Sequence, residues 1–452
     1  MTDLPPKPRA REGRVSLRRY VQLFREDILS AQPAKLYRAW MAEFRTPFFR
    51  SFLVNQPDLV KTVLQERPAD FPKSTRVSEG LRPLLGNSVF LTNGADWARQ
   101  RRIIDPAFEG GRLRDTYPAM WDASDAMLAR VEEGEIEVEE LASFAAADVI
   151  FRTLFSIPIE DRVASETFRA FRDYQRTQPV VNLAAFVPLP KWMPRPFRRR
   201  TLRAAAHIRG LIAGLVDQRA AQIAAGTAPD DLATKIMTTP DPETGKTFDR
   251  AEMVDQVAIF FLAGHETSAS TLSWALYLLA RYPDWQERLA QEAQEAALTG
   301  AFGEVSRLRL ARDVFREALR LYPPVPMMVR EAGCPERFRD RKVPKGSQIV
   351  LSAWHLHRHE RLWEAPDAFD PARWGTENGK QCMRDAFIPF SSGPRVCTGA
   401  GFAMVEGPLL LARLVSDYRF ETVEGRVPEP VAHLTVRARD GIWLRVRRRR
   451  PL

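Results

Sequence analysis

Residues 390–401 read Phe390-Ser391-Ser392-Gly393-Pro394-Arg395-Val396-Cys397-Thr398-Gly399-Ala400-Gly401. One cysteine stands in a loop of small residues, with an arginine two positions before it and a glycine two positions after. Its sulfur could be a buried thiol, half of a disulfide, a metal ligand or a nucleophile, and the rest of the chain has to discriminate. There are only three cysteines, Cys334, Cys382 and Cys397, and no CxxC pair. An odd, widely spaced set speaks against a disulfide framework or a structural zinc site and for a reducing compartment.

The composition is that of a globular protein: 452 residues, 45% hydrophobic and 27% charged, beyond the length at which most chains divide into domains. No apolar run approaches the ~18 residues that cross a bilayer. The basic, Pro-rich start MTDLPPKPRAREGRVSLRRY has no hydrophobic signal core, so a cytoplasmic protein is expected. The formal net charge is +10, with Arg445, Arg447, Arg448, Arg449 and Arg450 near the C-terminal end. A basic surface suits nucleic acid, anionic lipid or an acidic protein. Without a zinc-finger, RNP or helix-turn-helix signature, no nucleic-acid partner is expected.

From about Asp27 to residue 320 the pattern is mostly helical, without repeats or a flexible linker. The stretch 251–285, AEMVDQVAIFFLAGHETSASTLSWALYLLARYPDW, is apolar nearly all round at its centre and ends at Tyr282-Pro283, as a helix crossing a core should. Residues 307–326 form another helix, stopped by Pro323 and Pro324. Beyond it, 342–356 read as a turn and a strand, and 433–447 as a terminal hairpin around Asp440-Gly441. A further strand is expected in 48–54, which makes a helical body with a smaller β-rich part drawn from both chain ends.

The pattern Phe390-x-x-Gly393-x-Arg395-x-Cys397-x-Gly399 fixes five residue types in ten positions, a match expected by chance about once in a million windows. It resembles the haem-ligand loop of the cytochromes P450, and Phe402, Ala403 and Glu406 match the start of that family's next helix. The resemblance runs over 30–447. It implies a mainly α fold with small β-sheets, residues 1–30 being a basic N-terminal extension and 31–452 a single haem domain. The implied cofactor is haem b (iron protoporphyrin IX), with Cys397 as the iron ligand. The chemistry agrees: iron needs a thiolate stabilised by an electropositive setting, to which N–H groups opening the next helix contribute. Gly393 and Gly399 permit turns and close approach of the backbone to a flat macrocycle. A thiolate ligand favours O–O cleavage. Cys334 and Cys382 read as ordinary structural thiols.

Other stretches carry the same resemblance. In Ala263-Gly264-His265-Glu266-Thr267-Ser268 an acid and a hydroxyl adjoin in an apolar helix, which is costly unless they are used or satisfied. The family likeness makes Glu266 and Thr267 a proton relay to dioxygen, with Gly264 leaving it room and Ala263 beside the cofactor. Glu317 and Arg320, three apart on one helix face, resemble the family's buried ExxR pair, with Arg373 as the expected third member. Trp97, Arg101, Arg330 and Arg395 match propionate-binding positions, a task the planar guanidinium fork suits. His357 matches a histidine contact, although the local His-Arg-His-Glu departs from the family pattern and leaves His355 as an alternative. Phe390 completes the cofactor-binding set.

The resemblance implies monooxygenation of a lipophilic substrate, such as a fatty acid, terpenoid, steroid or carotenoid. Electrons would come from NAD(P)H through a separate ferredoxin or flavodoxin-type donor, expected to be acidic and steered by the positive charge. Neither a fused reductase nor a membrane anchor is expected, as in soluble bacterial members, and a monomer is expected. Peroxide-using members tend to lose the acid–threonine pair, which this chain keeps; a haem sensor needs no such relay. The segments 74–90, 177–190 and 325–329, with the helix around Phe260 to Ala263, are expected to line the pocket. The mixture of aromatic and basic residues in 184–203, including Trp192 and Phe197, suits the headgroup zone of an anionic membrane.

Overall fold

A computed structural model describes residues 4–13, 15–45, 49–109, 111–177, 197, 199–432 and 434–450. The expected substrate-lining stretch 177–190, except its first residue, and Trp192 of the expected membrane segment lie outside them. The chain forms two compact units, one of residues 1–71, 124–145 and 266–452, the other of 72–123 and 146–265.

All the strands described belong to the first unit. Strands β1 (Met41–Arg45), β2 (Arg50–Val54), β7 (Gln348–Leu351) and β4 (Met328–Glu331) make a sheet in the order β1-β2-β7-β4. The β2–β7 pair is parallel, with Phe52 opposite Ile349 and Val54 opposite Leu351. These side chains are buried with Val60, Leu64, Phe71, Phe338, Leu356, Trp363, Trp374 and Ile388. The core therefore joins early and late sequence, and β2 confirms the strand expected in 48–54.

The terminal hairpin expected around Asp440-Gly441 does not form. Strand β10 (Val436–Ala438) pairs with β9 (Pro430–Ala432). Strand β11 (Trp443–Arg448) instead lies between β3 (Gly134–Glu137) and β8 (Tyr418–Thr422). Gly441, at φ +75°, still turns the chain, which there passes from one sheet to another. The N-terminal residues are tied to this unit too. The buried Tyr322 hydroxyl donates to the carbonyl of Pro6 at 2.8 Å, and Arg11 Nε donates to that of Ala31 at 2.7 Å.

The second unit is built of helices. Its Phe261 packs on Phe151, Phe155 and Phe171, with centroids 4.5, 6.3 and 5.9 Å away. Helix Arg250–Arg281 starts there at a reciprocal capping box. Asp249 accepts the Glu252 amide at 2.8 Å, and Glu252 accepts that of Asp249 at 3.0 Å. At the other end Pro283 opens the next helix, Pro283–Ala296. Among the described residues, no helix is long and apolar enough to cross a membrane.

Candidate functional site

The loop around Cys397 is shaped by backbone contacts. The Cys397 amide donates to Phe390 O at 2.9 Å, and that of Val396 donates to Gly393 O at 3.0 Å. Gly393 adopts φ +70°, and a Cβ there would stand 2.1 Å from the carbonyl oxygen of Leu64. Its glycine is therefore required by contact with protein as well as by the turn. Gly399 has an ordinary φ of −82°, and its missing Cβ would lie 3.9 Å from the Cys397 sulfur. The helix Ala400–Asp417 follows directly. Cys397 is exposed, whereas Cys382 is buried, donates to Leu362 O at 3.2 Å, and has its pKa pushed up to about 11 by burial. Cys334 donates to Glu336 at 3.2 Å. Glu336, Asp70 and Cys334 bring three ligand-type atoms within 4.8 Å of one another, but Arg67 is already ion-paired to both acids.

Arg330 on β4 is 7% exposed, and its Nε has no hydrogen-bond partner. Burial first, and then the charge of Arg395, lower its pKa to about 10. Arg395 donates to the carbonyls of Pro68 and Phe71 at 2.7 and 3.3 Å. Two cations so placed, one of them buried with an unused donor, call for an anion between them. An exposed sulfur in a loop of small residues, next to a demand for carboxylate, fits a haem with its propionates.

His357 lies inside the core. It is fully buried, and its Nε2 accepts the Ile388 amide at 2.9 Å. Burial, then the charges of Arg320 and Arg358, lower its pKa to about 3. Its Nε2 anchors the segment that leads to the cysteine loop, while its Nδ1 has no hydrogen-bond partner among the described residues. The alternative, His355, is equally buried, with Nδ1 2.7 Å from Ser352 Oγ. The expected trio is assembled: Glu317 receives Arg320 at 2.7 Å and Arg373 at 2.9 Å.

On the helix Arg250–Arg281, most residues from Met253 to Ser273 are buried, but Ala263 is exposed and Phe260, Gly264 and Thr267 are half-buried. Spacings of three, four and seven put these on one helix face, which is the accessible one. Gly264 has a second reason to be glycine, since a Cβ would meet Ile150 Cδ1 at 2.3 Å. Glu266 is buried and ion-paired with Arg437 at 2.8 Å, and the Thr435 hydroxyl donates to the same oxygen. Ser268 donates to Glu406 at 3.2 Å. Sequence reading missed the Glu266 partners because they come from β10 and its approach, more than 160 residues on, with no local pattern to mark them.

Trp97 and Arg101 lie on the helix Gly94–Ile104 of the second unit, four residues apart on one face. The Lys73 ammonium is 5.7 Å from the Trp97 ring centroid, and Arg101 Nε donates to Asp105 at 2.9 Å.

A family model for Cytochrome P450 matches residues 35–444. The chain is similar to cyclooctat-9-en-7-ol 5-monooxygenase of Streptomyces melanosporofaciens, 33% identical over 393 residues, 85% of this chain and 83% of that protein. It is also similar to cytochrome P450 4A7 of Oryctolagus cuniculus, 30% identical over 419 residues, 87% and 80% of the two chains. The solved haem domain of cytochrome P450DA has a TM-score of 0.80 at 23% identity over 99% of each chain, a likeness of fold. The mainly helical chain with small sheets is thus a P450-type protein in architecture. It belongs to the cytochrome P450 family, and its activity is that of a P450 monooxygenase.

Proposed function

We propose that residues 31–452 act as one haem b domain that oxygenates a lipophilic, terpenoid-class substrate. The observation that carries the cofactor assignment is the occurrence of an exposed Cys397 together with a buried Arg330 whose Nε has no partner and which feels the charge of Arg395. Cys397 would hold the iron as thiolate, stabilised by the opening N–H groups of the helix Ala400–Asp417. Arg330, Arg395, Trp97 and Arg101 would bind the propionates. Phe390, Gly393 and Gly399 would shape the loop. When bound, the haem supplies cleavage of O2, one oxygen atom going to substrate and the other to water, for two electrons and two protons. Thr267 stands on the accessible helix face with Ala263 and Gly264, so its hydroxyl can present a proton there, and the adjacent Glu266 would resupply it. Ala263 and Phe260 are apolar neighbours that would exclude water from that face.

The substrate class is supported by the name of the Streptomyces relative, which acts on cyclooctat-9-en-7-ol, and by apolar Met327 and Met328 in one expected pocket wall. The electrons would come from a separate acidic ferredoxin or flavodoxin-type donor. The net charge of +10 supports steering, so donor reduction rates should fall as salt rises. We place the protein in the cytoplasm as a monomer, with peripheral contact to anionic membrane through 184–203, a segment mostly outside the described residues.

The test is a Soret titration of the ferric protein with terpenoids, fatty acids, steroids and carotenoids, followed by turnover with NAD(P)H and a donor. A saturable high-spin shift with terpenoids and an oxygenated product is expected. A shift with another class alone would overturn the substrate reading. Cys397→Ser should abolish the thiolate spectrum, while Cys334→Ser and Cys382→Ser should keep it.

A further inference from the structure

Glu266 is an acid in a buried helix, and a buried carboxylate is tolerated only where something holds it. What holds it comes from the C-terminal region. Arg437 Nη2 lies 2.8 Å from Glu266 Oε1, and the Thr435 hydroxyl donates to the same oxygen. The segment carrying both is fixed independently. Ser270, one turn along the helix from Glu266, donates from Oγ to Val436 O at 2.6 Å. The Val436 amide donates to Pro324 O at 2.9 Å. The Arg437 side chain is 37% exposed, so this guanidinium reaches from solvent to the buried acid.

A second acid flanks the same arginine. Glu139 Oε1 accepts the Ala438 amide at 3.1 Å. Burial raises the Glu139 pKa to about 7, the Ala438 bond and Arg437 pull it down, and Glu137 and Glu266 push it up. Arg437 thus bears on both acids, ion-paired with Glu266 and lowering the Glu139 pKa by its charge.

We infer that Arg437 and Thr435 are positioning residues for the oxygenation reaction, setting where Glu266 holds its carboxylate beside Thr267. This rests on the proton-supply role proposed for Glu266. Arg437 and Thr435 act by holding Oε1 of the acid. A polar contact of this kind fixes a rotamer only while both partners are present, so the coupling between Arg437 and Glu266 should be strongly non-additive.

The experiment compares haem-loaded wild type, Arg437→Leu, Arg437→Lys, Thr435→Val, Glu266→Gln and the Arg437→Leu/Glu266→Gln double variant. Two quantities are read: the share of NAD(P)H electrons lost to hydrogen peroxide, and the rate at which cyanide associates with the ferric protein. The second is not turnover. Hydrogen cyanide gives up its proton as the anion binds, and a positioned carboxylate accepts it. Arg437→Leu should raise the peroxide share and slow cyanide several-fold, with Lys restoring much of both. Substrate affinity from the spin-state titration should be unchanged, and the double variant should match Glu266→Gln alone. Thr435→Val, which keeps side-chain volume, should show the same direction if the leucine variant does not fold. Glu266→Gln altered with the Arg437 and Thr435 variants like wild type would overturn the inference alone. Additive effects in the double variant would do so as well. Glu266→Gln like wild type would remove the proton-supply reading and the inference with it.

Discussion

Arg373 donates through Nε to Oε1 of Glu317 at 2.9 Å, and that same oxygen receives Arg320 Nη2 at 2.7 Å. The surplus positive charge is spread over carbonyls: Arg320 also donates to His357 O at 3.0 Å and Ala368 O at 2.8 Å. Arg373 donates to Glu364 O at 2.7 Å and Ala365 O at 3.1 Å. Burial alone would raise the Glu317 pKa, but the two guanidiniums and the Asp370 amide outweigh it and hold the carboxyl below its usual range. Its stabilising contribution is therefore present above the unfolded pKa and lost as pH falls through the folded one. Glu317→Gln leaves two buried cations without their anion and should cost about 3–5 kcal/mol, measured by urea unfolding at neutral pH.

Arg330 makes a contrasting case, in which folded-state charge has no protein partner for its Nε. Arg330→Leu should leave the apoprotein as stable as wild type or more so, because a buried cation repelled by Arg395 is removed. The same variant should lose haem faster, read as transfer of haem to an acceptor apoprotein. Equal haem retention with a destabilised apoprotein would point to a purely structural arginine.

Gly393 sits at φ +70° with Leu64 O where a Cβ would go. Gly393→Ala meets both left-handed strain and a backbone atom that cannot rotate away, and should cost roughly 1–3 kcal/mol. Gly399→Ala meets neither, since its nearest neighbour is the Cys397 sulfur at 3.9 Å. Its fold stability should be close to wild type, and only haem spectra should respond.

Glu406 is buried with Oε1 lacking a partner. Burial pushes its pKa up to about 8 against an ordinary 4.5, with the Ser268 hydroxyl opposing. Between those values the folded protein holds a proton that the unfolded chain has released, so stability falls as pH rises through the window. Glu406→Gln should flatten that slope and be more stable than wild type at pH 8 and above, as measured by unfolding across the pH range between those two values.

Much of the site could be read along the chain, because its parts are local. The Cys397 loop, the Glu266-Thr267 pair, and the three-residue spacing of Glu317 and Arg320 each lie within one loop or one or two helical turns. Residue type and spacing suffice there. The long helix was legible for the same reason, from its apolar core down to the stop at Pro283. The surroundings of His357 were not legible, since a residue type matched to a pattern says nothing of burial, and in this fold the ring accepts the Ile388 amide.

What the sequence by itself determined is the family, the mainly helical class and the identity of the proposed iron ligand, all set by short-range order. Tertiary structure alone decided that strands β10 and β11 join separate sheets, and that Gly393 is pinned by Leu64. It also decided that Glu266 is held by Thr435 and Arg437. Apart from the short β9–β10 pairing, the partners are far apart in sequence: β11 and β3, Gly393 and Leu64, and Glu266 and Arg437. Which of many polar groups meets a buried acid, or which apolar edge receives a strand, depends on the packing of the whole core, and no window of sequence contains that sum.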